Sequence, residues 1–263
     1  MNKFFDFTAN QPASAGFGRF SAAHLSLLPV FALLLVGAFL LCRKRPGPGR
    51  ALSRAAVWLG LLTELGRGAL LLALGLYDRG RLPLHLCTLS VYLYFLHMLR
   101  PGPTLGQFIY AFSLPGAAFA LVFPDWADYP LWHFVSLSSF LLHFFLLLYP
   151  VTALALGDIR PDIRRLPRSI ALMLAMALPV WALDRLLDTN YMFLNWPPAG
   201  TPLELFAPLG RPGYLLGFIP LALAVWLLLY LKQLGIPEKK GEKMGIFFFL
   251  KENPGTKGRD APS

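Results

Sequence analysis

Apolar runs near the length that crosses a hydrocarbon layer, about 20 helical residues, recur seven times along this chain. Short segments rich in Pro, Gly and charge separate them. The runs lie at roughly His24–Cys42, Ala51–Tyr77, Leu82–Leu99, Leu105–Phe123, Leu131–Leu156, Ser169–Leu187 and Gly213–Leu231. RKRPGPGR (43–50) and PGP (101–103) interrupt the pattern, because Pro lacks the N–H a helix interior needs and restricts the residue before it. LPRS (166–169) opens the sixth run. Only 14% of the 263 residues are charged, too few to clothe a water-soluble domain of this size. The expected fold is therefore all-α, a polytopic membrane helix bundle of about seven transmembrane helices. Residues 1–23 form an outer segment, 24–233 the seven-helix domain and 234–263 a polar cytosolic tail, where IFFFL (246–250) is an interfacial contact at most.

The same arithmetic excludes a cytosolic enzyme, a nucleic-acid-binding domain and a disordered regulator. The net charge of +10 would suit nucleic acid, but the basic residues sit in short clusters between apolar runs, as loops facing an anionic leaflet do. Counted along alternate connections, 17 Lys and Arg fall on one side and five on the other. Arg67 and Arg185 lie within helices. The positive-inside rule then places the N-terminus outside and the C-terminus in the cytosol of a multi-pass cell-membrane protein. Reporters fused after Ser53 and after Ser169 should read cytosolic and one after Asp128 external; a cytosolic signal at Asp128 would overturn the seven-span topology.

Ionisable groups inside spans cost about 2.5–3.5 kcal/mol each on insertion scales, so each needs a partner or a task. Glu64 and Arg67 share span two at i,i+3, close enough to neutralise one another. They read either as a structural ion pair or as a polar wall in which Glu64 orients a histidine or binds substrate. LPLHLCTLS (82–90) puts Pro83, His85 and Cys87 in the expected first turn of span three, where the helix N-terminus favours a thiolate. The competing reading of Cys87 is a small apolar filler. Cys42 ends span one beside a basic loop and reads as structural, or at most as an acylation site. Span five carries His133 at its outer end and the stripe Ser136, Ser139, His143 at i, i+3, i+7. Such a stripe can glue helices or line a pocket. At the end of span six, Asp184 accepts from His85 or pairs with Arg185, and Asn190 and Tyr191 follow at the outer surface. Tyr191, Phe193 and Trp196 read best as an interfacial aromatic belt.

At 1.5 Å of rise per residue, Cys87 lies about 7 Å deep, His143 about 18 Å and Glu64 about 20 Å. His143 is thus level with Glu64 rather than with Cys87. A direct Cys87–His143 hydrogen bond requires a tilted span five, an intervening water, or an outer end of that span nearer Val135. Few polar residues stand in the inner halves of the spans, which weighs against a carrier.

LPLHLC (82–87) after an acidic second span, the deep histidine in SSFLLHFFLLLYP (138–150), and NYMFL (190–194) with PPAGTPL (197–203) together resemble the YwaF-like integral membrane proteins. This bacterial group is related to the animal transmembrane protein 164, a thiol-dependent phospholipid acyltransferase. The resemblance covers about Glu64 to Leu203. FLNWPPAG replaces a bulkier basic segment, and the tail after Gly235 has no counterpart. The resemblance implies a thiol-dependent lipid acyltransferase or acyl-lipid hydrolase with Cys87 as nucleophile and His143 as base, in an outward-opening intramembrane pocket. Glu64, Arg67, His85, Ser139, Asp184, Asn190 and Tyr191 would support them or bind substrate. The alternative is a non-catalytic membrane protein that binds or carries a lipid or small molecule. The expected partners are membrane lipids, not nucleic acid. No cofactor and no metal are expected, since the five His and two Cys show no ligand spacing.

Overall fold

The computed structural model describes residues 3–5, 16–231 and 233–234, and every regular element among them is helical. Seven helices carry the fold: α1 (Ala22–Lys44), α2 (Pro46–Ala73), α3 (Leu86–Leu99), α4 (Pro103–Val122), α5 (Phe134–Leu156), α6 (Leu166–Leu187) and α7 (Phe218–Tyr230). Short 3-10 segments at Pro202–Leu209 and Tyr214–Gly217 lead into α7. Six of the helical stretches are long and apolar enough to cross a membrane, and α3 is the shorter seventh. The chain is a multi-pass helical membrane protein. The expected tail beyond 234, with its IFFFL, and residues 6–15 of the N-terminal segment lie outside the described residues.

The centre is α5. It packs against α1, α2, α3 and α4, and its inner residues Phe140, Leu142, Leu146 and Tyr149 anchor the main core. On the far side of α4 lie α6 and α7; Trp226 of α7 donates its indole N–H to the Ala111 carbonyl at 3.1 Å, and Tyr110 donates to the Leu229 carbonyl at 2.8 Å. Leu33, Leu72 and Leu186 point outward and exposed, as lipid-facing side chains do when the surrounding solvent is itself apolar.

Two boundaries depart from expectation. RKRPGPGR is barely a loop: Arg45 alone separates α1 from α2, and Pro46 opens α2 at the position where its missing N–H costs nothing. The turn is this tight because Gly49 touches Cys42; a Cβ there would stand 3.0 Å from the Cys42 sulfur. The second departure matters more for the site. Span three does not begin at Leu82. Residues 82–85 form an irregular bend and turn, in which the Leu84 N–H donates to the Leu82 carbonyl at 2.8 Å; Pro83 lies outside the helix, and His85 (φ −66°, ψ 148°) is the residue preceding the first helical turn. Helix α3 is 14 residues long, or about 21 Å, against about 30 Å of hydrocarbon. Between α2 and α3 the chain is irregular apart from the short 3-10 turn Arg79–Arg81. Irregular backbone in a membrane protein survives only where protein or water satisfies its polar groups. Here Tyr191 does so: its hydroxyl accepts from the Leu82 N–H at 3.1 Å and donates to the Arg79 carbonyl.

Candidate functional site

Because α3 starts late, its first turn is deep, and the depth mismatch between Cys87 and His143 disappears. Cys87 is the second residue of α3, and His143 lies in the third turn of α5, which begins at Phe134 rather than Leu131. Nε2 of His143 stands 3.2 Å from the Cys87 sulfur. The contact is direct, and the later start of α5, near Val135, is the geometry that permits it.

The other ring nitrogen sets the proton's place. Nδ1 of His143 lies 2.8 Å from the Ser139 carbonyl oxygen one turn earlier on α5. A carbonyl can only accept, so Nδ1 carries the hydrogen and Nε2 presents its lone pair to the thiol. This is the tautomer a general base needs. Trp126, from the loop between α4 and α5, stacks on the imidazole at 4.8 Å between centroids and 25° between planes. The ring is therefore held on its edge by Ser139 and on its face by Trp126. Cys87 is half-buried and packs against the main core, whereas Cys42 is 1% exposed near the other end of α1.

Several supporting assignments need correction. Glu64 does not orient the imidazole: its carboxylate accepts from Nη2 of Arg67 at 2.8 Å, the structural ion pair that their spacing allowed. Ser139 supports His143 through its backbone carbonyl. Asp184 neither accepts from His85 nor pairs with Arg185. It is fully buried, and its Oδ1 accepts from the Thr189 hydroxyl and the Tyr191 N–H, both at 2.8 Å. Arg185 instead lies over the Trp181 ring. A left-handed residue, Asp188 (φ 52°), ends α6 and turns the chain back so that these groups reach the carboxylate.

Tyr191 is not part of an interfacial belt. It is buried, and its phenol, pushed up in pKa by that burial, stays protonated to donate to Arg79. Asn190 closes the same loop, donating to the Trp196 carbonyl and accepting from the Asn195 and Trp196 N–H groups. This loop in turn holds His85: its Nδ1 accepts from the Met192 N–H at 3.4 Å, and its ring meets Tyr191 edge-to-face at 5.2 Å. Asp184, Asn190 and Tyr191 thus brace the chain leading into Cys87.

Asp184→Ala should orphan two buried donors, at about 1–3 kcal/mol each, while Asp184→Asn keeps an acceptor and most of the stability. Thermal unfolding in detergent checks this. Equal loss in both variants would mean that the charge matters rather than the acceptor.

Other groups of the site escape a reading by spans. Trp126 is one. Nor are the inner halves of the spans poor in polar groups. Below Cys87, the same face of α3 carries Ser90, Tyr94 and His97 at helical spacing. Ser90 donates to Ser113 of α4 at 2.8 Å, Tyr94 to the Leu146 carbonyl at 3.0 Å, and His97 Nδ1 meets the Tyr149 hydroxyl at 2.7 Å. The π-helical turn Ile109–Ser113 of α4 brings Ser113 to that face. The period of 87, 90, 94 and 97 was the available signal, hidden because Tyr reads as apolar in a hydropathy count. Among the described residues, no three His, Cys, Asp or Glu side chains come together as a metal site.

Compared with known families, residues 19–230 match the model of the TMEM164 family. No curated protein and no solved structure matches the chain.

Proposed function

The chain belongs to the TMEM164 family, and from that premise we propose that it is a thiol-dependent membrane enzyme acting on acyl lipids, as an acyltransferase or an acyl-lipid hydrolase. One observation carries the reading: Nε2 of His143 lies 3.2 Å from the Cys87 sulfur while Nδ1 is committed to Ser139. A thiol, a base with its lone pair on that thiol, and a third group orienting the base are the parts nucleophilic acyl chemistry needs.

In the first half-reaction the Cys87 S–H proton passes to His143 Nε2 as the sulfur attacks the ester carbonyl carbon. The ester C–O bond then breaks, the leaving alkoxide takes the proton from Nε2, and a thioester remains on Cys87. In the second, His143 removes the proton from an acceptor hydroxyl or water, which attacks the thioester; the sulfur departs and recovers the proton. Glu64, Arg67, His85, Asp184, Asn190 and Tyr191 support the site by packing and hydrogen bonding, away from the reacting atoms. Membrane lipids are the partners, the protein resides in the cell membrane, and the site opens to the outer side by the charge asymmetry of the loops.

Labelling of the purified protein with a lipid-like, thiol-reactive probe tests the proposal. Modification of Cys87 should vanish in His143→Ala and survive in Cys42→Ala. Labelling that ignores His143, or that falls on Cys42 alone, would favour the non-catalytic reading of a lipid-binding bundle held together by its buried polar groups.

A further inference from the structure

Acyl transfer through a thioester places negative charge on the carbonyl oxygen, and an enzyme gains rate by having donors already aimed at it. The hydrogen on His143 Nδ1 is committed to Ser139 and Nε2 faces the thiol, so the histidine has no donor to spare for that oxygen. Two other features of the structure supply one. The first is the start of α3. His85 makes no side-chain cap there, and the first bond of the turn runs from the Leu89 N–H to the His85 carbonyl. The N–H groups of Leu86, Cys87 and Thr88 therefore precede any intrahelical acceptor, directly at the nucleophile.

The second is independent of the helix. Trp126 is 6% exposed, yet its indole N–H, buried as well, has no acceptor among the described residues. Buried tryptophans ordinarily find one. Trp226 does, at Ala111. The unsatisfied N–H belongs to the ring that lies flat on His143, whose Nε2 in turn stands 3.2 Å from the thiol. The loop bearing it is pinned: Gly18 donates to the Ala127 carbonyl, Phe17 to Tyr129 at 3.1 Å, and Arg19 Nε to Pro124 at 3.0 Å, while Phe140 meets the indole edge-on at 5.4 Å. An unsatisfied donor held this firmly is preorganised for a ligand atom.

We propose that Trp126 Nε1–H and the first-turn amides of α3 form the oxyanion site of the reaction, receiving the carbonyl oxygen of an acyl ester or thioester as Cys87 attacks. This rests on the acyl-thioester reading above. The proton passes from sulfur to His143 Nε2, the S–C bond forms, and the carbonyl π pair moves onto oxygen, where the indole N–H donates to it. Collapse returns that pair to the carbonyl, breaks the ester C–O bond, and sends the Nε2 proton to the departing alkoxide. Trp126 gains and loses no proton.

Trp126→Phe keeps an aromatic face on His143 and deletes only the N–H. The experiment measures two reactions of Cys87 in the full-length protein in native membranes. One is acylation by p-nitrophenyl butyrate, read by intact mass. The other is alkylation by iodoacetamide, which develops no negative charge on an acyl oxygen. The variant should acylate about 10²-fold more slowly while its alkylation rate stays that of the parent. Unchanged acylation in Trp126→Phe would overturn the inference alone. So would an equal fall in both reactions, which would make Trp126 a positioning residue for His143. If Cys87 of the parent protein takes up no acyl group while still alkylating, the proposed function fails and this inference falls with it.

Discussion

His143→Ala lowers acylation of Cys87 by about 10²–10⁴-fold at neutral pH, the range a positioned general base supplies. Cys87→Ala abolishes it, and Cys42→Ala leaves it unchanged because Cys42 is closed off beside Gly49. The sign of the pH response separates chemistry from damage. Without an imidazole to take its proton, the thiol must ionise on its own, so the His143→Ala rate rises with pH toward that of the parent. A variant that had merely unfolded would not recover in this way. The readout is the acylation rate by intact mass between mildly acidic and alkaline pH, alongside thermal unfolding of each variant. A His143→Ala protein that acylates at the parental rate near neutrality would remove the base from the mechanism, whatever the distance in the structure.

The second large effect concerns the ion pair. The Arg67 and Glu64 side chains are 28% and 9% exposed, at 2.8 Å. Removing one partner leaves a charge with little water and no counter-charge, at about 3–5 kcal/mol for a buried pair. Arg67→Leu should therefore destabilise the bundle by an amount of that order, and Glu64→Leu similarly. Glu64→Leu/Arg67→Leu together should recover most of the loss, since two apolar side chains suit a lipid-facing or core position equally well. Unfolding free energies in bicelles for the four proteins give the cycle. A double variant as unstable as either single one would show that Glu64 holds something other than Arg67. Because neither residue touches the reacting atoms, the double variant should also retain acylation of Cys87.

Much of this was legible from residue order. The apolar runs marked all seven helices, and α1, α4 and α6 begin and end within a few residues of where hydropathy puts them. The i,i+3 spacing of Glu64 and Arg67 announced their pairing. Cys87 and His143 stood out because a thiol and an imidazole inside hydrocarbon demand a reason. These are one-dimensional properties: the length of a run sets whether a helix can span, and spacing along one helix sets which side chains share a face.

The pairing of Cys87 with His143 was not of that kind. Counting from the ends of the runs put the two about 11 Å apart in depth, because hydropathy cannot tell that 82–85 is an irregular turn outside the helix. That decision involves Tyr191, more than 100 residues downstream, whose hydroxyl accepts from the Leu82 N–H and donates to the Arg79 carbonyl, so that this irregular backbone is satisfied without α3 starting earlier. Asp184 in turn holds Tyr191. The same holds for Trp126, which reads in sequence as one more aromatic in a polar loop and becomes part of the site only because Phe17, Gly18 and Arg19 pin that loop over α5. Residue order alone determined that the chain crosses a membrane as helices and which helices carry reactive groups. Only the tertiary structure decided how deep each helix begins, and so which of those groups meet, because that depth is set by hydrogen bonds between segments far apart in the chain.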